Sequence, residues 1–144
     1  MPDDPTDVPG DATDGAFDLA TTHIHLGLGA RAVPLPDVEW SEVYLSAYGE
    51  RFAGDGDEGR LVTLGHSADA WPTWERHPAG EEVVVLLSGR VELLQRTDDG
   101  ERRIELRPGQ AVINPPGVWH TADVIEPGDA LFITPGRGTE NVPR

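Results

Sequence analysis

Glu75, His77, Glu82 and His120 are the side chains in this sequence best suited by type and spacing to hold a metal ion. Glu75 and His77 stand at an i, i+2 spacing, which on an extended strand points both to one face. Pro78-Ala79-Gly80 reads as a turn, and the next strand opens at Glu82 with an apolar run that ends at Ser88-Gly89. A hairpin-like return of this kind brings Glu82 back toward His77. An imidazole and two carboxylates converging among Val and Leu are costly to bury unless a cation offsets their charge. By strand alternation, Glu81 faces solvent and stays outside the cluster.

A second stretch supplies another imidazole. Residues Gly109 to Ile113 read as a strand, Pro116-Gly117 as a turn suited to type II geometry, and Val118 to Ile125 as a new strand. That strand places Val118, His120, Ala122 and Val124 on one face, so His120 is embedded among apolar neighbours. Together the two stretches resemble the cupin family. His77, Glu82 and Gly89 stand where the first cupin motif has its second His, its Glu and its closing Gly. Gly109, Pro115, Gly117 and His120 match the second motif at every spacing. The sequence departs from the pattern at three positions: Glu75 replaces the first His, Asp69 the leading Gly, and Val124 the final Asn. The resemblance runs from Trp71 to Pro135. It implies a small metal-binding jelly-roll β-barrel that pairs as a homodimer, but it does not imply one reaction.

Glu75, His77, Glu82 and His120 together offer two imidazoles and two carboxylates. That set suits a divalent ion such as Fe, Mn, Ni, Co or Zn. With Glu75 off the metal, the other three form a two-His-one-carboxylate facial triad with open positions. In that case Glu75 is free to act as a catalytic general base. Three function classes follow. The leading one is a metal-dependent, dioxygenase-like oxidoreductase acting on a small organic molecule. The alternatives are a non-redox isomerase or lyase, and a non-catalytic module that holds a small ligand. Arg60 and Arg76 are the cations able to pair with a substrate carboxylate if they point inward. Trp71, Trp74 and Trp119 suit packing at the barrel mouth or a dimer contact as well as substrate stacking.

The elements that must position this cluster are read as an all-β, jelly-roll barrel with a short N-terminal helix. A chain of 144 residues suits one domain. Seventeen Gly, thirteen Pro and a single Met favour a turn-rich β protein. There is no Cys, so any metal site must be built from His and carboxylates. A formal charge of −15 argues against nucleic acid or an anionic membrane as partners. Residues 1–18 carry six Asp and neither Lys nor Arg, and are expected to form a disordered acidic tail, leaving 19–144 as the barrel domain. That tail has no basic or apolar region resembling a signal peptide, and the expected location is cytoplasmic.

Thr22 to Leu26 reads as a first strand, with His23 and His25 expected on the polar face of a sheet edge. Asp37 is expected to cap a helix carrying Val38, Trp40, Val43, Tyr44, Ala47 and Tyr48 over one end of the barrel. Ala53 to Gly59 is read as an acidic loop, and Arg60 to His66 as a strand. Val91–Gln95 and Arg103–Leu106 form a hairpin around Asp99-Gly100. Leu131-Phe132-Ile133 closes the barrel, and ordered structure is expected to end at Gly136-Arg137-Gly138.

Overall fold

The computed structural model describes residues 15–36 and 38–144. Most of the acidic segment expected to be disordered, and the Asp37 cap, therefore lie outside the described residues. Asp18, the last residue of that segment, belongs to the turn into the first strand. Its side chain accepts a hydrogen bond from Ala20 N at 2.9 Å and its carbonyl one from Thr22 N at 2.8 Å.

Among the described residues, eleven strands form two antiparallel sheets. The six-stranded sheet runs β2 (Arg31–Pro36), β1 (Thr22–Gly27), β3 (Arg60–Ser67), β10 (Gly128–Thr134), β5 (Glu82–Leu86), β8 (Ala111–Asn114). The five-stranded sheet runs β11 (Glu140–Pro143), β4 (Thr73–Arg76), β9 (His120–Glu126), β6 (Arg90–Thr97), β7 (Gly100–Leu106). This is the expected jelly roll. Alternation decides what faces inward: along β5, Glu82, Val84 and Leu86 are buried, so the carboxylate shares the face of the core residues. Val84 and Leu86 pack with Leu93, Leu106, Val112 and Ala122 between the sheets.

Two tight turns lock the sheets together. Gly89 has φ 79°, and a Cβ there would come within 2.5 Å of the Glu126 carbonyl oxygen. A Cβ on Gly128 would run into the Ser88 carbonyl. The turn after β5 thus lies directly on the turn before β10, with Leu87 N donating to Asp129 O at 2.9 Å. This contact gives a physical reason for the glycine that closes the first motif.

Three sequence expectations change. β1 is an interior strand flanked by β2 and β3, and His23 and His25 are buried rather than set on a polar edge. Alternation correctly puts both on one face, but that face turns inward. The helix α1 (Glu42–Arg51) is capped by Ser41, whose Oγ accepts from Tyr44 N at 3.1 Å. None of its residues is fully buried, and Trp40 and Val43 remain exposed. Val38, Tyr48 and the following Phe52 instead pack with Val33, Leu35 and Leu61 in a second cluster. Finally, the chain continues past Gly138 into β11, which pairs with β4 from Glu140–Arg76 to Pro143–Thr73. Its backbone groups satisfy the outer edge of β4.

Candidate metal centre

The metal-binding candidates come from three strands and both sheets. Glu75 lies on β4 and His77 one residue beyond its end, His120 opens β9, and Glu82 opens β5. Glu75 and His120 are direct cross-strand partners, which aims both side chains to the same side of the sheet. One ligand atom from each of Glu75, His77 and His120 lies within 4.8 Å of the other two. Glu82 is not part of that close set but touches both imidazoles. Its Oε2 is 3.2 Å from His77 Nε2 and its Oε1 3.1 Å from His120 Nε2. Glu75 stands farther off, 3.9 Å from His77 Nε2, with its side chain 36% exposed.

These contacts leave the two imidazole nitrogens unsatisfied. His77 and His120 are 4% and 0% exposed, yet neither Nε2 has a hydrogen-bond partner. The Glu82 oxygens are at ion-pair distance without the alignment a hydrogen bond requires. Buried polar atoms normally find partners, so two orphans converging on one carboxylate mark a place built for something else.

The other atoms of the cluster are held. His77 Nδ1 pairs with Thr139 Oγ1 at 2.8 Å. His120 Nδ1 donates to the Val118 carbonyl at 3.2 Å, so the neutral ring carries its lone pair on Nε2. Glu82 accepts from Asn114 Nδ2 at 3.0 Å and from Thr134 Oγ1 at 2.6 Å. Asn114 is oriented in turn by Gln95 Nε2, which donates to its Oδ1 at 2.9 Å. Such supports fix tautomer and direction at metal sites.

Charge is balanced within the cluster. Burial opposes ionisation of Glu82, but the adjacent His120 and His77 outweigh it and hold the carboxyl well below the usual carboxylate range. Burial also works against a charged His120, yet Glu82 prevails and raises its pKa above the ordinary value. At Glu75 burial dominates and pushes the carboxyl up, with Glu82 adding to the rise. His120 Nε2 is therefore the atom at which a proton and a metal ion would compete. The donor set, the tautomer and the orphaned nitrogens all fit a divalent ion.

Glu75 and Glu82 also line a cavity of about 850 Å³ that extends from the cluster to the face of α1. All four sequence-predicted site residues come together, and Glu81 is exposed as alternation requires. The predicted Arg76 is committed elsewhere: it pairs with Glu140 at 2.6 Å and lies 4.6 Å over the Trp119 ring. Trp71 packs on Phe132 and Trp74 lies under Arg96, while the tryptophan that lines the cavity is Trp40. Sequence reasoning missed Thr134 and Thr139. The alternation of Leu131 to Thr134 offered a weak signal for the first, and nothing local marked the second.

A family profile for the cupin domain, Cupin_2, matches residues 60–134. No curated protein matches the sequence. Among solved structures, a mutant oxalate decarboxylase from Bacillus subtilis is similar at 19% identity and TM-score 0.51, over 66% of this chain and 26% of that one. A cupin-2 domain containing protein from Shewanella frigidimarina is similar at 21% identity and TM-score 0.45, over 59% and 71% of the two chains. Hydroquinone 1,2-dioxygenase from Sphingomonas sp. TTNP3 is similar at 18% identity and TM-score 0.44, over 52% of this chain and 58% of the enzyme. At 19% identity, the likeness to the oxalate decarboxylase speaks to the fold and not to the chemistry.

Proposed function

This chain belongs to the cupin family, and on that premise we propose that it is a metal-dependent enzyme acting on a small organic molecule, with oxygen-dependent oxidation or cleavage as its reaction class. The observation that carries the metal reading is the pair of buried, unpartnered nitrogens, His77 Nε2 and His120 Nε2, on either side of Glu82. His77, His120 and Glu82 would hold the ion, with Glu75 as a fourth ligand. A bound divalent ion supplies Lewis acidity toward substrate oxygens and, if redox-active, a means of engaging O₂. The protein's own part is to fix the His120 tautomer through the Val118 carbonyl, to orient His77 through Thr139, to keep Glu82 ionised, and to wall the reacting volume with the cavity.

A second reading is favoured by the position of Glu75. Its longer reach to His77 and its partial exposure at the cavity wall suit a proton acceptor beside the metal. On that reading the reaction is a non-redox isomerisation or elimination, with Glu75 as general base.

Elemental analysis of the purified protein tests the metal, with about one equivalent of Fe, Mn, Co, Ni or Zn expected. No metal at any loading would overturn the reading. Substrate-dependent O₂ uptake with a redox-active ion supports the leading class, whereas anaerobic turnover with Zn supports the second.

A further inference from the structure

The cavity has a second polar wall, opposite in sequence and unused by the metal cluster. His25, Tyr48 and Phe52 line it together with Glu75 and Glu82. The His25 ring stacks on Phe52 with centroids 3.7 Å apart. Its Nε2 meets Asp55 Oδ2 at 2.7 Å and its Nδ1 meets the Tyr48 hydroxyl at 2.5 Å.

The protons in this chain of three can be assigned. Asp55 also accepts from Leu28 N at 3.1 Å, and its contact with His25 holds its carboxyl below the ordinary range, so it is an ionised acceptor. The proton between them therefore sits on His25 Nε2. Burial outweighs Asp55 and lowers the His25 pKa, with Arg31 on β2 and Arg51 on α1 acting in the same direction. A neutral ring with Nε2–H has a bare Nδ1, so the Tyr48 hydroxyl must donate to it. Burial pushes the Tyr48 phenol up, which keeps that proton in place. Tyr48 has then spent its one donor, and its oxygen can only accept from anything that enters the cavity.

The arrangement is shaped for this purpose by two glycines. A Cβ on Gly27 would sit 2.6 Å from Asp55 Oδ2, and one on Gly59 would sit 3.0 Å from His25 Cε1. Neither glycine has positive φ, so backbone conformation does not demand glycine at either position. The space taken by the His25–Asp55 pair does. The cavity is also lined by the aromatic and apolar Trp40, Leu45, Leu61 and Phe132, alongside Ser46, Glu50 and Arg137.

We propose that Tyr48, positioned by His25 and Asp55, is a ligand-binding residue whose hydroxyl oxygen accepts a hydrogen bond from the hydroxyl group of an aromatic ligand. The aromatic wall takes the ring, and the spent donor on Tyr48 selects a ligand that donates. The binding contribution of Tyr48 itself does not depend on a metal.

The test compares 2-naphthol with 2-methoxynaphthalene, which keeps the ring and oxygen but has no donor. Fluorescence titration is done on the protein as purified and after chelation, with metal content measured separately. Wild type should bind 2-naphthol about five-fold or more tightly than the ether in both states, the factor one buried hydrogen bond confers. Tyr48→Phe should bind the two probes equally while retaining the ether affinity of wild type, which also reports that the cavity is intact. Gly27→Ala gives an independent route, because the added methyl pushes the end of the Asp55 side chain off His25 without touching the cavity wall. It too should lower the preference. Equal binding of both probes by wild type, binding of neither, or an undiminished preference in both variants would each overturn the proposal. A preference that survives chelation in a protein found to carry no metal would sustain it while the metal reading fails.

Discussion

Glu75 and His120 face each other as cross-strand partners on β4 and β9. The position where this chain departs from the family's His is therefore paired directly with the imidazole that opens β9. Because antiparallel partners project to the same side, the side chain at residue 75 leaves the strand toward His120. That pairing makes Glu75 the residue by which the proposed metal site would differ from a three-His site.

Glu75→Gln separates the roles open to that carboxylate. A ligand replaced by a neutral amide should weaken metal binding about tenfold or more, read by competition with a chelator. Unchanged affinity with lost turnover assigns Glu75 as a base, and unchanged affinity with unchanged turnover removes it from the site. Glu75→His should keep a metal and shift preference toward softer borderline ions.

His120→Ala should abolish stoichiometric metal while leaving a folded barrel, since it deletes a ligand from a site already rich in carboxylate. In wild type, metal should be released as pH falls, because protons compete for Nε2. The apparent metal affinity should begin to fall at a higher pH than for an ordinary imidazole, since Glu82 raises the pKa of His120. Elemental analysis after dialysis across pH 5 to 8 reads both expectations. Full occupancy in the mutant would place the metal elsewhere.

Without metal, Glu82 and His120 stabilise each other through their charges, and Glu82→Gln removes that coupling. The raised pKa of His120 means its share is complete below 6.5 and is lost as pH rises through the higher folded value. The lowered pKa of Glu82 means its share is present above 4.5 and is lost as pH falls through the lower folded value. The Tm gap between metal-free wild type and Glu82→Gln should therefore be widest between pH 4.5 and 6.5 and close on either side. A gap that ignores pH would show that the two groups are not coupled by charge.

Thr139→Val tests the support given by the C-terminal strand. It removes the partner of His77 Nδ1 at nearly constant volume. Metal affinity should fall by roughly tenfold with little change in Tm of the metal-free protein. An unchanged affinity would show that His77 is oriented by packing alone.

Gly128→Ala should destabilise the barrel by about 3 kcal/mol, because the new methyl meets the backbone of Ser88 and Gly89 rather than a side chain that can move. Chemical denaturation measures it directly. A loss below about 0.5 kcal/mol would mean that the two stacked turns separate freely.

Much of the centre was legible in the sequence because it is encoded locally. Alternation placed Glu75 with His77, put Glu82 on the inward face of β5 and sent Glu81 to solvent, since the side-chain period of a strand does not depend on its partners. Turn chemistry did the same for Pro116-Gly117, where Gly117 takes φ 72°. The sequence also carried Gly89, but part of its reason lies in a turn distant in sequence, at Glu126 and Pro127, that packs against it. What only the tertiary structure decided depends on which distant segments meet. Alternation set His23 and His25 on one face, but β2 and β3 on either side of β1, with Phe52 packed beyond, turned that face inward. Thr139 became a partner of His77 because β11 returns onto β4, and a polar C-terminal stretch announces no such pairing. The Asp55–His25–Tyr48 chain joins three elements whose local sequence favours a loop, a strand and a helix separately. Only the packing of Tyr48 and Phe52 against the first strands brings their polar atoms together, since local propensity has no term for contacts between distant segments.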